Sequence, residues 1–236
     1  MIATRICTDA TELQACVAET IAAQLEEALA KRGTALLGLS GGSTPLPIYR
    51  ALAVMPIDWP RVHMALVDER WVGLEDVASN ERALRQALAP ALTRGAHLVG
   101  MYNGAPHACD GVAACGNAYR SLPLPFDAVV LGMGTDGHFA SLFPGAEGLQ
   151  EALDPTGERL CMAIRARPGS ATAGCEERMS LTLAGIANSR AVELLLTGSA
   201  KLQVFEHARL PCDPLLMPLH ALLTLPGISL RAWWAP

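Results

Sequence analysis

The sequence predicts an α/β fold: a three-layer αβα arrangement in which a mostly parallel, Rossmann-like sheet is flanked by helices. Three observations predict it. Short, continuous apolar runs, typical of strands buried on both faces, recur along the chain. Segments with helical periodicity or helix-start residues separate these runs. No linker, low-complexity tract or internal repeat interrupts the alternation, so residues 1–236 are expected to form a single domain.

The composition argues against several classes of protein. Hydrophobic residues make up 51% of the chain and charged residues 17%, which predicts a globular core and not a disordered chain. The net charge of -5, without a Lys- or Arg-rich run, is unfavourable for a nucleic-acid partner. The first residues lack the pattern of a secretory signal, and no apolar run is long enough to cross a bilayer. We therefore expect a cytoplasmic protein without a membrane partner.

The chain has seven cysteines, and their spacing includes no CxxC. They predict neither a zinc site nor a disulfide framework, and we interpret them as reduced thiols that mostly pack in the interior. No metal-ligand spacing is found elsewhere in the sequence. Neither a metal nor another cofactor is expected.

The first element is a helix predicted from Thr11 to Lys31. Apolar residues recur at every fourth position from Leu13 to Leu29, which places them on one stripe that faces the core. Gly33 follows at the position where a left-handed residue commonly ends a helix, so the helix is predicted to stop there.

The second element is a short apolar strand, Thr34–Ser40, that leads into a glycine pair and a helix start. Gly41, Gly42 and Ser43 follow the strand, and Pro45 suits the first position of the next helix. Backbone N–H groups and the positive end of the helix dipole would both face this loop, which favours an anion. The loop is neither a Walker motif nor GxGxxG, and a well-capped turn is the alternative.

A third strand, Val62–Val67, ends in three consecutive charges, Asp68, Glu69 and Arg70. Arg70 offers a planar fork that suits a phosphate group. A solvated turn is the alternative interpretation of the triplet. The next segment, Ser79–Leu88, is predicted to be a helix that is capped by either Ser79 or Asn80.

The middle of the chain contains a buried strand followed by a glycine-rich loop. Ala128–Leu131 is the apolar run, and Gly132, Gly134 and Gly137 follow it. Glycine allows a positive φ and close approach of the backbone to a ligand, and open α/β sheets bind ligands at the carboxyl ends of their strands. The apolar pattern resumes at Phe139–Phe143, which predicts the start of a helix.

Two titratable residues, Asp136 and His138, lie in this loop. The unperturbed pKa of histidine, about 6.5, suits proton transfer near neutral pH. A functional role is favoured because both residues follow a strand of the predicted sheet. The alternative is a tight connection in which Asp136 caps the following helix and His138 is an ordinary surface histidine.

The rest of the chain continues the alternation. Lys201 lies near the amino end of a predicted helix, where a cation is unfavourable unless an anion joins it; an exposed first-turn lysine is the alternative. The other predicted elements are strands over His97–Met101, Leu160–Ile164 and Ala191–Thr197, a helix over Asp110–Leu122, an exposed loop over Arg165–Cys175, an apolar segment from Arg178, a helix after Gly198 and an edge strand over Ser229–Trp234.

Five motifs occur in one order along the chain: LGLSGGSTP, VDERWV followed by SNE, FDAVVLGMGTDGHFASLFPG, RMSLT and TGSAK. In this order and approximate spacing they resemble the 6-phosphogluconolactonases, and the resemblance covers residues from about 34 to 210. The glucosamine-6-phosphate deaminases of the same superfamily typically have DEY where this chain has DER, and an Asn-Glu-Pro run where it has SLFP. Both differences favour the lactonases.

The resemblance implies hydrolysis of 6-phospho-D-glucono-1,5-lactone to 6-phosphogluconate, the second step of the oxidative pentose phosphate pathway. A δ-lactone is an activated ester, so a positioned base and an anion anchor can suffice without covalent catalysis. His138 is the predicted base toward water, and Asp136 is expected to orient either the imidazole or a substrate hydroxyl. Backbone N–H groups of the loop that contains Gly134 and Gly137 are the candidates to stabilise the oxyanion.

The family pattern also assigns the residues that bind the substrate and its phosphate. They are loop and charged residues gathered at the strand ends: Gly41, Gly42, Ser43, Asp68, Arg70, Gly134, Gly137, Arg178 and Lys201. A covalent mechanism through Ser40 or Ser43 is not expected, because no motif for an oriented base accompanies either serine.

Two alternative functions stay open at this point. One is an isomerase-deaminase of the glucosamine-6-phosphate type, with Asp68 as the base. The other is a non-catalytic regulator that binds a sugar phosphate. The expected partner in the favoured interpretation is a small sugar-phosphate lactone, bound by a monomer or a small homo-oligomer.

Overall fold

In the computed structural model, which describes residues 2–169 and 174–236, helices flank a central sheet. The strands of this described part are β1 (Ala3–Ile6), β2 (Ala35–Leu39), β3 (Val62–Leu66), β4 (Asp68–Arg70), β5 (His97–Val99), β6 (Ala128–Gly132), β7 (Cys161–Arg165), β8 (Glu177–Leu181), β9 (Val192–Thr197) and β10 (Leu230–Ala235). The helices are α1 (Ala10–Arg32), α2 (Pro45–Ala53), α3 (Asn80–Ala87), α4 (Ala89–Thr93), α5 (Ala108–Arg120), α6 (Leu149–Ala152), α7 (Leu183–Ala187), α8 (Ser199–Ala208) and α9 (Pro218–Leu223).

The central sheet has the order β1-β10-β9-β6-β2-β3-β5, and every neighbouring pair in it is parallel. From β2 the chain moves outward to β3 and β5, and it then returns to the other side of β2 to form β6. The direction of travel therefore reverses between β2 and β6. In open parallel sheets, ligands bind in the crevice at the carboxyl ends of the strands at such a point. The predicted α/β fold is confirmed.

The apolar runs of the sequence form the centre of this sheet. All of β2 is buried, and β6 and β9 are buried except for their last residues. Helices cover both faces of a parallel sheet, so its central strands need no polar face, and continuous apolar sequence is the result. Burial of these runs supplies most of the driving force for folding.

The first predicted helix forms as α1, and a capping residue fixes each of its ends. The side chain of Asp9 accepts a hydrogen bond from the backbone N–H of Glu12 at 2.8 Å and so caps the first turn. The stripe from Leu13 to Leu29 is buried against the core. Gly33 has a φ of 77°, and its N–H returns to the carbonyl of Leu29, which ends the helix.

A second, antiparallel sheet has the order β4-β8-β7. The charged triplet Asp68–Arg70 forms β4, in which Asp68 pairs with Ser180 and Arg70 pairs with Arg178. The interpretation of the triplet as a solvated turn is therefore wrong. The central residue, Glu69, is fully buried.

The helix predicted to start within Phe139–Phe143 does not form. Ala140 has a φ of 48°, which lies in the left-handed region and cannot continue a right-handed helix. Isolated bridges join Phe139 to Met133 and to Leu142 instead. The apolar side chains of this segment are buried because the turn packs into the core. The apolar pattern therefore reflects burial of the segment and does not indicate a helix.

The edge strand of the central sheet is not the one predicted from the sequence. Strand β10 is not an edge strand, because it lies between β1 and β9. The edge is β1, which has four exposed residues and no apolar run to mark it in the sequence.

Of the loop predicted over Arg165–Cys175, Arg165 belongs to β7, and residues 170–173 lie outside the described residues. Among the described helices, none is both long enough and apolar enough to cross a membrane.

Candidate active site

A pocket of ≈ 320 Å³ opens at the carboxyl ends of β2 and β6, where the strand order reverses. The loops after β2 and β6, strand β4 and the first turns of α2, α3 and α8 form its wall. The lining residues are Ser40, Gly41, Gly42, Ser43, Thr44, Pro45, Asp68, Arg70, Asn80, Gly132, Met133, Gly134, Thr135, His138, Ala140 and Lys201.

His138 and Asp136 form a hydrogen-bonded pair beside this pocket. The imidazole Nδ1 lies 2.5 Å from Asp136 Oδ1, and the backbone N–H of His138 donates to the same oxygen at 3.2 Å. Burial raises the pKa of Asp136, but the hydrogen bonds and charge of His138 outweigh burial, and the net pKa lies below its ordinary value. An ionised carboxylate only accepts, so Nδ1 carries the proton and Nε2 is the basic nitrogen.

The loop between β6 and His138 is folded around Gly134. The N–H of Gly134 donates to the carbonyl of His138 at 2.9 Å, and the N–H of Gly137 donates to the carbonyl of Gly134 at 3.1 Å. A Cβ on Gly134 would lie 2.3 Å from His138 Nδ1 and 2.4 Å from Asp136 Oδ1, so a larger residue would separate the pair. The two glycine N–H groups serve the loop itself, which makes them unsuitable as oxyanion donors.

The loop between β2 and α2 has the form of an anion site. Gly42 adopts a φ of 103°, and Pro45 occupies the first turn of α2. Within the described chain, no residue accepts a hydrogen bond from the N–H groups of Gly41, Gly42, Ser43 or Thr44. These donors lie at the positive end of the α2 dipole, where a phosphate group is stabilised.

Two cations, Lys201 and Arg70, line the same pocket. Lys201 is in the first turn of α8, and burial lowers its pKa below the ordinary value. Arg70 donates through Nη1 to the carbonyl of Ala78 at 2.6 Å. Neither side chain forms an ion pair with a carboxylate of the described residues. Both charges are therefore available to an anionic ligand.

Arg178 does not belong to the pocket wall. Its side chain is 2% exposed, its Nε donates to the carbonyl of Cys175 at 2.8 Å, and its guanidinium stands 5.6 Å from the centre of the Phe143 ring. Burial and then the charge of Arg70 lower the pKa of Arg178. Arg178 stands opposite Arg70 in the β4–β8 pair, so the two side chains lie on the same face of that sheet, and Arg178 is next to the pocket without lining it.

Several polar residues of the site were not predicted from the sequence. Ser141 donates through Oγ to Asp68 Oδ2 at 2.7 Å, and Asn80 donates through Nδ2 to the carbonyl of Asp68 at 2.9 Å. From the sequence, Asn80 is predicted only to be a helix cap. The signal that could have identified these residues is their position inside the SNE and DGHFASLFPG motifs.

Ser40 is held in a structural role. Its Oγ donates to the carbonyl of Val130 at 2.9 Å, and its own carbonyl accepts from the Tyr49 hydroxyl at 3.1 Å. The hydroxyl therefore joins β2 to β6 and is not presented as a nucleophile. Within residues 2–169 and 174–236, no group of three or more His, Cys, Asp or Glu residues is arranged to hold a metal ion.

Comparison with known proteins gives the family. The family model described as "Glucosamine-6-phosphate isomerases/6-phosphogluconolactonase" matches residues 8–226. The chain belongs to this family. It is 39% identical over 228 residues to a protein named 6-phosphogluconolactonase from Mesorhizobium japonicum, with 97% of this chain and 93% of the relative covered. A second relative of that name, from Pseudomonas aeruginosa, is 36% identical and covered to 89%, with 93% of this chain aligned.

Solved structures of the family have the same fold. The crystal structure of a 6-phosphogluconolactonase from Shewanella baltica superimposes with a TM-score of 0.93 at 36% identity, over 100% of this chain and 98% of that one. The present family member brings most of the sequence-predicted site residues onto one pocket wall. Those on the wall are Gly41, Gly42, Ser43, Asp68, Arg70, Gly134, His138 and Lys201. Asp136, Gly137 and Arg178 are next to wall residues but do not line the pocket.

Proposed function

We propose that this protein hydrolyses 6-phospho-D-glucono-1,5-lactone to 6-phospho-D-gluconate, the second step of the oxidative pentose phosphate pathway. One observation carries the proposal: a single pocket joins Lys201 and the N–H groups of Gly41–Thr44, none of which has a partner among residues 2–169 and 174–236, to a histidine backed by a carboxylate. An anion site and a general base in one pocket suit a substrate with a phosphate at one end and an ester at the other. The names of the relatives agree with this substrate.

In this mechanism His138 Nε2 takes a proton from water as the oxygen attacks C1 of the lactone. The carboxylate of Asp136 stabilises the imidazolium that forms and keeps the ring oriented. The imidazolium then returns a proton to the ring oxygen as the C1–O bond breaks, which yields the open-chain acid. Every proton is accounted for by water and one histidine, so the step needs no covalent intermediate.

The phosphate binds at the other side of the pocket. The N–H groups of Gly41–Thr44 and the charge of Lys201 hold it, and Arg70 adds a second cation. This anchor fixes the lactone carbonyl relative to His138, so binding energy at the phosphate is used for orientation at C1. Thr135 is the proposed oxyanion donor, because it lines the pocket and its N–H has no acceptor in the described part of the chain.

The experiment that tests the base compares two histidine variants. His138→Ala should lower the rate of lactone hydrolysis above the spontaneous background by about 10²–10⁴-fold. His207→Ala is the matched control, because His207 is exposed on α8 and should leave the rate unchanged. Binding of 6-phosphogluconate should stay measurable in both variants. An unaltered rate in His138→Ala would remove His138 from the mechanism.

A further inference from the structure

Glu69 is a buried carboxylate that the mechanism above does not use. It stands between Asp68 and Arg70, which both line the pocket, and its own side chain is 0% exposed. Successive side chains of a strand point to opposite faces, so Glu69 points away from the pocket. It points at the amino end of α3 instead, as its hydrogen bonds show.

The carboxylate of Glu69 accepts four hydrogen bonds. Two come from the backbone N–H groups of Asn80 and Glu81, both at 2.7 Å, and the others come from the N–H of Arg70 at 2.8 Å and the Ser79 hydroxyl at 3.1 Å. The first N–H groups of a helix have no partner within it, and here Glu69 supplies one. Burial raises the pKa of Glu69 to about 7, although these backbone donors act to lower it.

Two residues share the cap of α3. Ser79 is the N-cap residue, and its Oγ accepts from the N–H of Arg82 at 3.1 Å, while Glu69 accepts from the N–H groups of Asn80 and Glu81. A buried carboxylate without a cationic partner is costly, and within the described residues Glu69 forms no ion pair. Besides completing this cap, Glu69 fixes the position of Asn80, the first residue of α3.

Asn80 connects Glu69 to the phosphate side of the pocket. The backbone N–H of Asn80 is held by Glu69, while its side chain, which is 3% exposed, donates to the carbonyl of Asp68. Its Oδ1 lies 2.0 Å from the place where a Cβ on Gly41 would stand, so the carboxamide packs directly on the backbone of the anion loop. A displacement of Asn80 would therefore be transmitted to Gly41.

We propose that Glu69 is a positioning residue for the anion loop Gly41–Thr44 and acts on it through Asn80. The inference rests on the proposed function for the identity of the substrate, but its structural part does not. An ionised carboxylate can accept from all four donors at once. The amide of Gln cannot, because its NH₂ group would face a backbone N–H.

The test compares Glu69→Gln with the wild type at about pH 8, where Glu69 is ionised. We expect the KM for the lactone and the dissociation constant for 6-phosphogluconate to rise about tenfold, with kcat within about threefold. The backbone NMR order parameters of Gly41–Thr44 should fall, because the loop is held less rigidly. Asp9→Ala is the matched control: it removes the N-cap of α1, which should lower stability and leave KM and the loop order parameters unchanged.

A second variant tests the route through Asn80 even if Glu69→Gln folds poorly. Asn80→Ser keeps the backbone N–H that Glu69 binds but withdraws the side chain from Gly41, so it should raise KM and lower the loop order parameters in the same way. If Glu69 acts through Asn80, the double variant is no worse than Glu69→Gln alone. Additive effects, or unchanged loop order parameters in Glu69→Gln, would overturn the proposal. A wild type that turns over no lactone would refute the proposed function, and the loop order parameters would still decide this inference.

Discussion

His138 and Asp136 are two residues apart, and their side chains meet because the loop turns back on Gly134. The sequence indicates the chemistry, since a histidine and a carboxylate in a strand-end loop suit proton transfer. It left open whether Asp136 orients the imidazole or a substrate hydroxyl. The structure favours the imidazole, because a φ of 80° at Gly137 and the hydrogen bond from Gly134 N–H to His138 bring the pair together. Such geometry depends on the whole loop and not on residue type.

We expect Asp136→Asn to lower kcat for lactone hydrolysis by about 10²-fold. The amide loses the charge that stabilises the imidazolium, and it can present a donor to Nδ1. KM should change little, because Asp136 does not line the pocket. Asp58→Asn, at an exposed ion pair with Arg61, is the control. Steady-state kinetics on both variants measure the effect. If Asp136→Asn kept its full kcat, Asp136 would not stabilise the imidazolium of His138.

The pH dependence of stability tests the same pair without substrate. A carboxyl whose folded pKa is lowered, as that of Asp136 is, contributes stability above its unfolded pKa and loses it as the pH falls through the folded pKa. The wild type should therefore be more stable than Asp136→Asn near neutral pH, and the difference should shrink as the pH falls below the ordinary value of 3.8. Urea unfolding over a pH series measures it; a difference that is independent of pH would contradict the prediction.

Two strand–loop–helix units form the anion side of the pocket, one from β2 to α2 and one from β9 to α8. Both could be predicted because their signals are local: an apolar run, then glycine and a hydroxyl, then a helix start. Thr44 and Thr197 link the two units, with their hydroxyl oxygens 3.4 Å apart. Strand β4 and the turn at Phe139–Phe143 were missed because they depend on pairing with distant residues.

Gly41→Ala should weaken substrate binding. The φ of Gly41 is not positive, so the obstacle is space: the new Cβ would stand 2.0 Å from Asn80 Oδ1 and push the carboxamide away. We expect KM to rise about tenfold, and stability to fall by about 1–3 kcal/mol from overpacking. Gly73→Ala is the control, since a Cβ there meets nothing within 4 Å. If the two alanine variants have equal KM values, Asn80 does not restrict the loop.

Lys201→Met should separate stability from function. A half-buried cation in the first turn of α8 opposes the helix dipole, and burial lowers its pKa. Its removal should leave stability unchanged or raise it by about 0.5–1 kcal/mol. The KM for the lactone should rise at least about tenfold, because the phosphate loses a charge partner. Thermal unfolding and steady-state kinetics of the variant measure the two effects. A loss of stability with a normal KM would mean that Lys201 has a structural role and does not bind the phosphate.

At the scale of the whole molecule, the strand order creates the site. The alternation of strands and helices could be predicted from periodicity, and so could the location of chemistry at strand ends. The order β1-β10-β9-β6-β2-β3-β5 could not, because the position of β10 inside the sheet depends on contacts with β9 and β1 far away in sequence. That order brings the loops after β2 and β6 together. The single-domain organisation stays a prediction.

We propose that this pocket hydrolyses a sugar-phosphate lactone with a histidine base. The most direct measurement is the initial rate of 6-phosphogluconate formation from fresh lactone, followed by a coupled oxidation with a metal chelator present. We expect a rate above the spontaneous background that is proportional to protein concentration and is lost in His138→Ala. A folded protein that binds 6-phosphogluconate but does not accelerate hydrolysis, or one that releases ammonia from glucosamine 6-phosphate, would contradict it.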